Sequence, residues 1–265
     1  MAQKEIMLMK VVVKVGTSTL THKSGLINIR LVETLCKYLS DLKNAGNEVI
    51  LVSSGAIGMG VGKLSLKERP SDLAGKQAAA AVGQCELMYT YSKLFSEYHH
   101  TVAQILLTGS DFEDDTRHEN FSQTMRRLLE MGVLPIINEN DTVSTEQITV
   151  GDNDTLSALV AVSVGADLLV LLSDIDGLYT ADPKIDSTAT LVEAVYEIDS
   201  AVLDSAGGKG SSLGTGGMKT KISAAQIATE SGCDMVIMNG SNPEKLYDLF
   251  EGKSIGTRFY AKGKK

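Results

Sequence analysis

The sequence is short of cysteine and has no surplus of basic residues, and each shortage excludes a class of protein. The three cysteines, Cys36, Cys85 and Cys233, lie far apart, so they offer neither the spacing of a zinc site nor a disulfide framework. This usage fits a reducing compartment, and we expect a cytoplasmic protein. With a net charge of −8, the chain has no diffuse basic surface to recruit nucleic acid or anionic membrane. Any positive charge that meets an anionic substrate must therefore be local.

Long apolar runs and signal-peptide features are also absent from the sequence. The longest apolar stretch, residues 159–172, is broken by Gly165 and Asp167 and is too short to span a membrane. The first ten residues lead directly into a strand-like segment, without the charged and then apolar order of a signal peptide. We therefore expect neither a membrane-spanning segment nor a signal peptide.

Several standard catalytic motifs are missing too. No G-x-G-x-x-G, G-x-S-x-G or H-E-x-x-H occurs, so a dinucleotide fold, a hydrolase elbow and a zinc protease lack direct support. Residues 252–254 resemble the end of a Walker A loop, but the earlier glycine that this motif requires is Tyr247. The chemistry must be sought in other segments.

Apolar strands alternate with helical segments along the chain. The valine-rich residues 7–15 predict a strand buried on both faces, which indicates a parallel sheet covered by helices. Further strands are predicted at residues 48–52, 102–107, 133–137, 167–172, 234–238 and 255–260, with a weakly strand-like segment at 191–198. The main helices are predicted at residues 28–46, 72–98 and 218–231, with one more that ends at Met131 and one that runs from Asp152 or Asp154 to residue 164. The polar residues 109–120 predict a loop. Without linker or repeat, residues 1–265 predict a single α/β domain, a three-layer α/β/α sandwich with a mostly parallel central sheet.

Small and charged residues follow the first two predicted strands. Lys14 lies near the end of the first strand, just before Gly16, and taken alone a lysine there most simply reaches solvent. Residues 53–58, SSGAIG, form a strand-to-helix turn of small residues after the second strand. Such a turn lets backbone N–H groups approach a ligand, but a purely structural turn has the same composition.

Two clusters of carboxylates and amides bound residues 138–154. The first cluster opens the segment at Asn138 and ends at Asp141, and the second comprises Asp152, Asn153 and Asp154. The alternating residues between them predict an exposed two-stranded ribbon that brings the clusters together. The clusters either bind a small ligand that carries a cation or supply turn and helix-cap contacts, for which Asn and Asp are equally suited.

A glycine-rich loop precedes a predicted helix at residues 214–221, GTGGMKTK. Free N–H groups and the positive end of a helix dipole favour an anion at such a position. Lys219 and Lys221 lie in the first helical turn, where a cation is mildly unfavourable unless a multiply charged anion binds among them. The alternative is a flexible surface loop with solvated lysines.

Taken together, these segments resemble the glutamate 5-kinases of the amino-acid kinase superfamily, in order and spacing over essentially the whole chain. The most specific matches are Lys-Val-Gly-Thr-Ser at residues 14–18 and Asn-Glu-Asn-Asp at residues 138–141. The Gly-Leu-Tyr and Asp-Pro elements at residues 177–183 and the glycine-rich loop occur throughout the superfamily. Uridylate kinases have Lys-x-Ser-Gly-Glu at the first site and aspartokinases Lys-Phe-Gly-Gly-Thr, and neither occurs here. Ser173 stands where threonine is common, which keeps the hydroxyl group.

The resemblance implies ATP-dependent phosphorylation of the glutamate side-chain carboxylate, the first step toward proline, with Mg²⁺ bound mainly through the ATP phosphates rather than by protein ligands. By similarity, the catalytic residues are Lys14, Lys221 and Asp154. The implied substrate-binding residues are Ser54, Asn138, Asp141, Asp152 and Asn153. The implied ATP-binding residues are Lys14, Gly16, Ser173, Asp174, Thr215, Gly216, Gly217, Met218, Lys219, Thr220 and Lys221.

Partners and alternatives follow from the same resemblance. Many bacterial members carry a C-terminal PUA domain, whose absence we expect because the chain ends soon after residues 255–259. We expect a homo-oligomer, with a glutamyl-phosphate reductase receiving the labile product, and neither nucleic acid nor membrane as a partner. The rivals are a superfamily kinase with another acceptor and a non-catalytic amino-acid sensor. A sensor would be expected to lack a phosphate-site lysine, yet both lysines are present.

Overall fold

The computed structural model describes residues 8–22, 24, 26–144, 153–183, 185–206 and 217–263. The strands are β1 (Lys10–Val15), β2 (Glu48–Ser53), β3 (Val102–Leu107), β4 (Leu134–Glu139), β5 (Leu168–Ser173), β6 (Ala194–Val195), β7 (Asp234–Asn239) and β8 (Thr257–Phe259). The helices are α1 (Thr17–Leu20), α2 (Ile29–Asn44), α3 (Ala56–Lys63), α4 (Leu73–Ser96), α5 (Ser110–Glu113), α6 (Asp115–Glu130), α7 (Asn153–Val164), α8 (Ser200–Ala206), α9 (Met218–Glu230) and α10 (Lys245–Phe250).

Within these residues, eight strands form one sheet in the order β3-β4-β2-β1-β5-β7-β8-β6. Neighbouring strands from β3 to β7 are parallel, whereas β8 is antiparallel to β7 and pairs in parallel with β6. The predicted mostly parallel sheet is therefore confirmed. The register places Lys14 between Val52 of β2 and Leu171 of β5, one residue before the end of β1.

Both faces of the sheet are buried. Along β1, Val11, Val13 and Val15 join an apolar cluster with α2, α4 and α10. Val12 points to the opposite cluster, which includes residues of α6, α7 and α9. Because successive strand residues face opposite sides, a strand covered by helices on both faces has consecutive apolar residues, as β1 has at residues 11–13. The structure confirms the three-layer sandwich.

The predicted loop at residues 109–120 is wrong, because α5 and most of the first half of α6 occupy it. The Asp114 side chain accepts a hydrogen bond from the Arg117 N–H at 2.9 Å and caps α6, while Asp115 adds negative charge to its first turn. Acidic residues stabilise a helix N-terminus, so the same composition that suggests a loop also suits a helix start. Buried Phe121 and Met125 then anchor the helix to the sheet.

The segment at residues 138–154 is described at both ends only. Residues 141–143 form a turn after β4, and α7 begins at Asn153. The ribbon predicted between them falls mostly on residues 145–152, which lie outside the described residues. Among the helices that the structure describes, none combines the length and apolar character needed to cross a membrane.

Candidate active site

The predicted site segments lie at one edge of the sheet. β1, β2, β4 and β5 are parallel, so their carboxyl ends meet at the same edge. Lys14, Ser54, Asn138 and Ser173 lie on or directly after these strand ends. Ligands of open α/β sheets bind at this edge, beyond the carboxyl ends of the strands.

At the centre of this edge, two lysines bind one carboxylate, and we call Lys14, Asp154 and Lys221 the lysine–aspartate cluster. Lys14 Nζ donates to Asp154 Oδ1 at 2.6 Å, and Lys221 Nζ donates to Asp154 Oδ2 at 3.0 Å. The Thr220 hydroxyl also donates to Asp154 Oδ2, at 3.1 Å. Three elements, β1, α7 and α9, therefore meet at one side chain.

The lysine–aspartate cluster is almost closed to solvent. Asp154 is 0% exposed, Lys14 4% and Lys221 5%. Buried charges are unfavourable unless they are paired, and here Asp154 is paired with both lysines. The simplest interpretation of Lys14, a strand-end lysine reaching solvent, is therefore wrong. Asp154 also lies in the first turn of α7, where the helix dipole favours a carboxylate.

Beside this cluster, side-chain amides and a hydroxyl form a second group, the amide cluster of Asn138, Asn153 and Ser54. Asn153 Nδ2 lies 2.9 Å from Asn138 Oδ1, 2.8 Å from the Ser54 hydroxyl and 3.1 Å from the Ser53 carbonyl oxygen. Asn138 and Asn153 are buried, whereas Ser54 is half-buried. Since Asn153 and Asp154 are consecutive, the two clusters are adjacent.

Two carboxylates lie at the end of β4, Glu139 as its last residue and Asp141 two residues later. Burial, and secondly the Glu139 carboxylate, raise the pKa of Asp141 to about 6, although Arg69 opposes the shift. Burial also raises the pKa of Glu139, which accepts a hydrogen bond from the Ser144 hydroxyl at 2.6 Å. Within the described residues Asp141 makes no hydrogen bond, so the turn-cap interpretation has no contact there to support it.

The small residues after β2 permit close packing. Ser54 N–H donates to the Val15 carbonyl at 3.0 Å, and Gly55 has a φ of +105°, a left-handed conformation that favours glycine. α3 then packs directly on α4, where a Cβ at Gly83 would lie 1.8 Å from the Ala56 carbonyl oxygen. The glycines thus serve helix packing as well as the approach of the turn to the site.

The other side of the lysine–aspartate cluster is formed by the end of β5 and the start of α9. The Ser173 hydroxyl donates to the Asp174 carboxylate at 3.2 Å, and the Ser173 carbonyl accepts from Gly240 N–H at 2.7 Å. α9 begins after Gly217, which supplies no side-chain cap, so its first N–H groups can bind an anion.

The structure unites most of the predicted site residues. Gly16 is directly beside Lys14, because a Cβ there would lie 3.7 Å from Lys14 Nζ. Lys219 is exposed and does not join the lysine–aspartate cluster. Asp152, Thr215 and Gly216 lie outside the described residues. The functional roles of all the site residues remain predictions.

Sequence reasoning missed Gln84 of α4, whose side-chain oxygen accepts from Asn138 Nδ2 at 3.0 Å. It also missed the charge of Arg69, which acts on Asp141. Gln84 lies in a run of strong helix formers and carries no local signal of its contact. Its seven-residue spacing from Gln77 and from Tyr91, close to two helical turns, is a hint that the sequence does offer.

Comparison with solved structures supports the fold. Carbamate kinase from Giardia lamblia bound to AMP-PNP matches with a TM-score of 0.67 and 18% identity, over 96% of this chain and 99% of that chain. At this identity the likeness shows a shared fold.

Sequence comparison identifies the family. The sequence model of the Amino acid kinase family matches residues 9–239. Glutamate 5-kinase from Clostridium perfringens is 51% identical over 257 residues, covering 96% of both chains. The same enzyme from Clostridium tetani is 55% identical over 251 residues, covering 95% of this chain and 94% of the relative. That of Clostridium acetobutylicum is 54% identical, covering 96% of both. The chain therefore belongs to the amino acid kinase family and, within it, to the glutamate 5-kinases.

Proposed function

We propose that this protein transfers the γ-phosphoryl group of ATP to the side-chain carboxylate of L-glutamate and forms L-glutamyl 5-phosphate, the first step of proline biosynthesis. The observation that carries the proposal is the lysine–aspartate cluster, with Lys14 and Lys221 bound to buried Asp154. The amide cluster lies next to it and is suited to a small polar acceptor. The relatives named above are glutamate 5-kinases, which supports glutamate as that acceptor.

The reaction brings two anions together, so its main requirement is electrostatic. A carboxylate oxygen of the acceptor forms the new bond to phosphorus, while the bond to the terminal oxygen of ADP breaks and ADP leaves with that electron pair. Lys14 and Lys221 would offset the repulsion and stabilise the charge on the transferred group. The acceptor carboxylate has a pKa of about 4.3 and is therefore already ionised near pH 7, so the step needs no general base.

Asp154 would act by holding both lysines rather than by touching the transferred group. Its two oxygens each receive one ammonium group, which sets the positions of both. Such preorganised charge accelerates phosphoryl transfer because it needs no rearrangement during the reaction. Within the described residues, no three His, Cys, Asp or Glu side chains cluster to hold a metal ion. On this proposal the nucleotide phosphates would hold Mg²⁺, which would supply further positive charge there.

The acceptor would occupy the amide cluster and the space beside Asp141. Asp141 would bind the ammonium group of glutamate, while Ser54 and Asn153 would contact the amino acid. Asn138, which bonds to Asn153, would support the pocket. Asp152 stays a predicted contributor.

ATP would bind between the end of β5 and the start of α9. Ser173 and Asp174 would lie beside the nucleotide, and residues 215–221 would surround its phosphates. The start of α9, where Gly217 supplies no side-chain cap, and the buried ammonium of Lys221 support this assignment. Lys219, being exposed, would contact the outer phosphates, and Gly16 would let the phosphates approach Lys14.

The partners remain part of the proposal. A glutamyl-phosphate reductase would receive the product, because an acyl phosphate is labile in water. We also propose a homo-oligomer and a cytoplasmic location, with which three free cysteines are consistent.

The test is an acceptor panel in which hydroxylamine traps acyl phosphates. Purified protein, ATP and Mg²⁺ would be incubated with glutamate, aspartate, glutarate and N-acetylglutamate, with Lys221→Ala as the inactive control. We expect ATP-dependent hydroxamate from glutamate far above that from the other acceptors. No trapped product from glutamate would refute the proposal. Equal turnover of N-acetylglutamate, whose nitrogen is uncharged, would remove Asp141 from its assigned role.

A further inference from the structure

Three polar side chains lie along the inner side of α4 at seven-residue spacing, close to two helical turns. They bond to the Ser144 carbonyl (Gln77, 3.2 Å), the Asn138 amide (Gln84, 3.0 Å) and the Ser53 hydroxyl (Tyr91, 2.9 Å). Each partner lies in or beside the proposed acceptor pocket. One helix face therefore supports three separate segments of that pocket.

Two backbone groups determine how the amides are oriented. The Glu139 N–H can only donate, and it lies 2.9 Å from one atom of the Asn138 amide, which must therefore be the oxygen. The other atom of Asn138 is then the nitrogen, and it donates to Gln84 at 3.0 Å. Gln84 consequently presents its oxygen to Asn138. The Glu139 N–H thus fixes, through Asn138, which atom of the Gln84 amide faces Asn138.

Asn153 is oriented by the same logic. The Ser53 carbonyl can only accept, so the Asn153 atom 3.1 Å from it is the nitrogen, which also faces Asn138 Oδ1 and the Ser54 hydroxyl. The Asn153 oxygen remains to accept from a ligand. The Ser54 oxygen accepts from Asn153, which leaves the hydroxyl proton to donate. The pocket thus offers an acceptor suited to ammonium and a donor suited to carboxylate.

The hydrogen bonding of the Gln84 side chain is incomplete. Gln84 is 9% exposed, and its side-chain nitrogen is buried without a hydrogen-bond partner among the described residues. An apolar side chain of similar length would avoid that unsatisfied donor, but it would leave the buried Asn138 Nδ2 without the Gln84 oxygen. The contribution of Gln84 therefore lies in its oxygen, which holds the Asn138 amide.

We propose that Gln84 is a positioning residue for acceptor selection, which holds Asn138 and, through it, Asn153 with its oxygen toward the ammonium group of the amino acid. The inference rests on the proposed function. The Glu139 N–H sets which way the Asn138 amide faces, and the Gln84 oxygen is the second contact that holds it in place. Without the Gln84 oxygen, the Asn138 amide is held at one end only, so Asn153 is held less firmly with its oxygen toward the ligand and the preference for an ammonium group falls.

The test compares Gln84→Met with Leu87→Met. Methionine keeps the length of glutamine and removes both polar atoms, while Leu87 is a buried α4 residue that serves as a packing control. For Gln84→Met we expect glutamate KM to rise roughly 5- to 30-fold, the size expected when one oriented polar contact is weakened, with ATP KM and kcat within about 3-fold. The kcat/KM preference for glutamate over glutarate, which lacks the ammonium, should fall by at least about 5-fold. Leu87→Met should keep that preference.

A second variant keeps the inference testable if Gln84→Met does not fold. Gln84→Glu retains an oxygen for Asn138, so its preference for glutamate over glutarate should be no lower than that of the parent. A preserved preference in Gln84→Met, or an equal loss in Leu87→Met or Gln84→Glu, would overturn the inference. If the parent does not phosphorylate glutamate at all, the proposed function fails instead, and the two failures are distinguished by that one measurement.

Discussion

Replacing Asp141 with asparagine tests the acceptor pocket sharply, because the change removes a charge and keeps the shape of the side chain. Burial and the nearby Glu139 carboxylate raise the pKa of Asp141 from 3.8 to about 6, against the opposing charge of Arg69. A carboxylate with a raised pKa is less favourable in the folded protein than in the unfolded chain. Its role in binding would therefore come at the expense of stability.

The sign of the stability effect follows from proton binding. Between about pH 4 and pH 6 the folded protein holds a proton on Asp141 that the unfolded chain releases, so stability falls as the pH rises through this range. Above pH 6 the deficit is complete, and a shift of about two units corresponds to at most about 3 kcal/mol. We expect Asp141→Asn to be more stable than the parent by about 1–3 kcal/mol at pH 7.5, and the difference to vanish near pH 4.

Asp141→Asn should weaken glutamate binding although it raises stability. The proposed contact with the glutamate ammonium is remote from the reacting carboxylate, so it is made about equally in the ground and transition states and appears in KM. A charge-assisted hydrogen bond of roughly 1.5–3 kcal/mol predicts a rise of about 10- to 150-fold in glutamate KM, with ATP KM nearly unchanged. In the parent, kcat/KM for glutamate should fall as the pH drops below about 6, where Asp141 becomes protonated.

Urea unfolding and steady-state kinetics between pH 5 and pH 8 would measure both effects. Glu139→Gln is the matched control, because it removes a neighbouring charge and should move the fall in kcat/KM to lower pH. An Asp141→Asn protein with lower stability and an unchanged glutamate KM would refute the reasoning. It would show that Asp141 caps the turn after β4 and does not bind the acceptor.

Three further changes test the rest of the site. Lys221→Ala should lower kcat by about 10²-fold or more and leave glutamate KM within a few-fold, and a near-normal kcat would exclude its role in charge stabilisation. Asp154→Asn leaves the buried ammonium groups of Lys14 and Lys221 without their carboxylate, so urea unfolding without nucleotide should show a loss of about 3–5 kcal/mol. A free energy of unfolding within about 1 kcal/mol of the parent value would contradict the pairing of Asp154 with the two lysines. Gly83→Ala places a methyl group against the Ala56 carbonyl, so a thermal melt should show destabilisation by about 2 kcal/mol or more, together with a raised glutamate KM. An unchanged melt would argue against the close α3–α4 packing.

The layered fold was predictable because its strands have an unambiguous pattern. The middle residues of β1, β5 and β7 are consecutive apolar residues, which is the pattern of a strand covered on both faces. The start of α6 was not predictable from composition, since Asp114 and Asp115 suit a polar loop and a helix N-terminus equally. What decides for the helix is the later burial of Phe121 and Met125, a tertiary effect.

The sequence indicated which residues belong to the site, but it did not indicate which of them contact one another. Lys14 could be selected by its position near the end of a strand and Lys221 by its position after a glycine-rich loop. Resemblance to the family supported both selections. Their shared partner Asp154 is 140 and 67 residues away, a separation at which spacing carries no geometric information. Gln84 is harder still, because its contact with Asn138 depends on how α4 packs over β4, 54 residues later in the chain. Local patterns identify helices and strand ends, whereas these contacts depend on packing between distant segments.

The first turn of α7 explains how the two halves of the site stay aligned. Asn153 bonds to Ser54 and Asn138 in the amide cluster, and the next residue, Asp154, binds both lysines. Consecutive Cα atoms are about 3.8 Å apart and joined by a planar peptide, so the two clusters cannot separate without breaking one set of bonds. A shift of α7 moves the acceptor contact and the phosphoryl-binding charges together. Because a misplacement of about 1 Å can cost a large factor in rate, placing both functions on adjacent residues protects the distance on which the reaction depends.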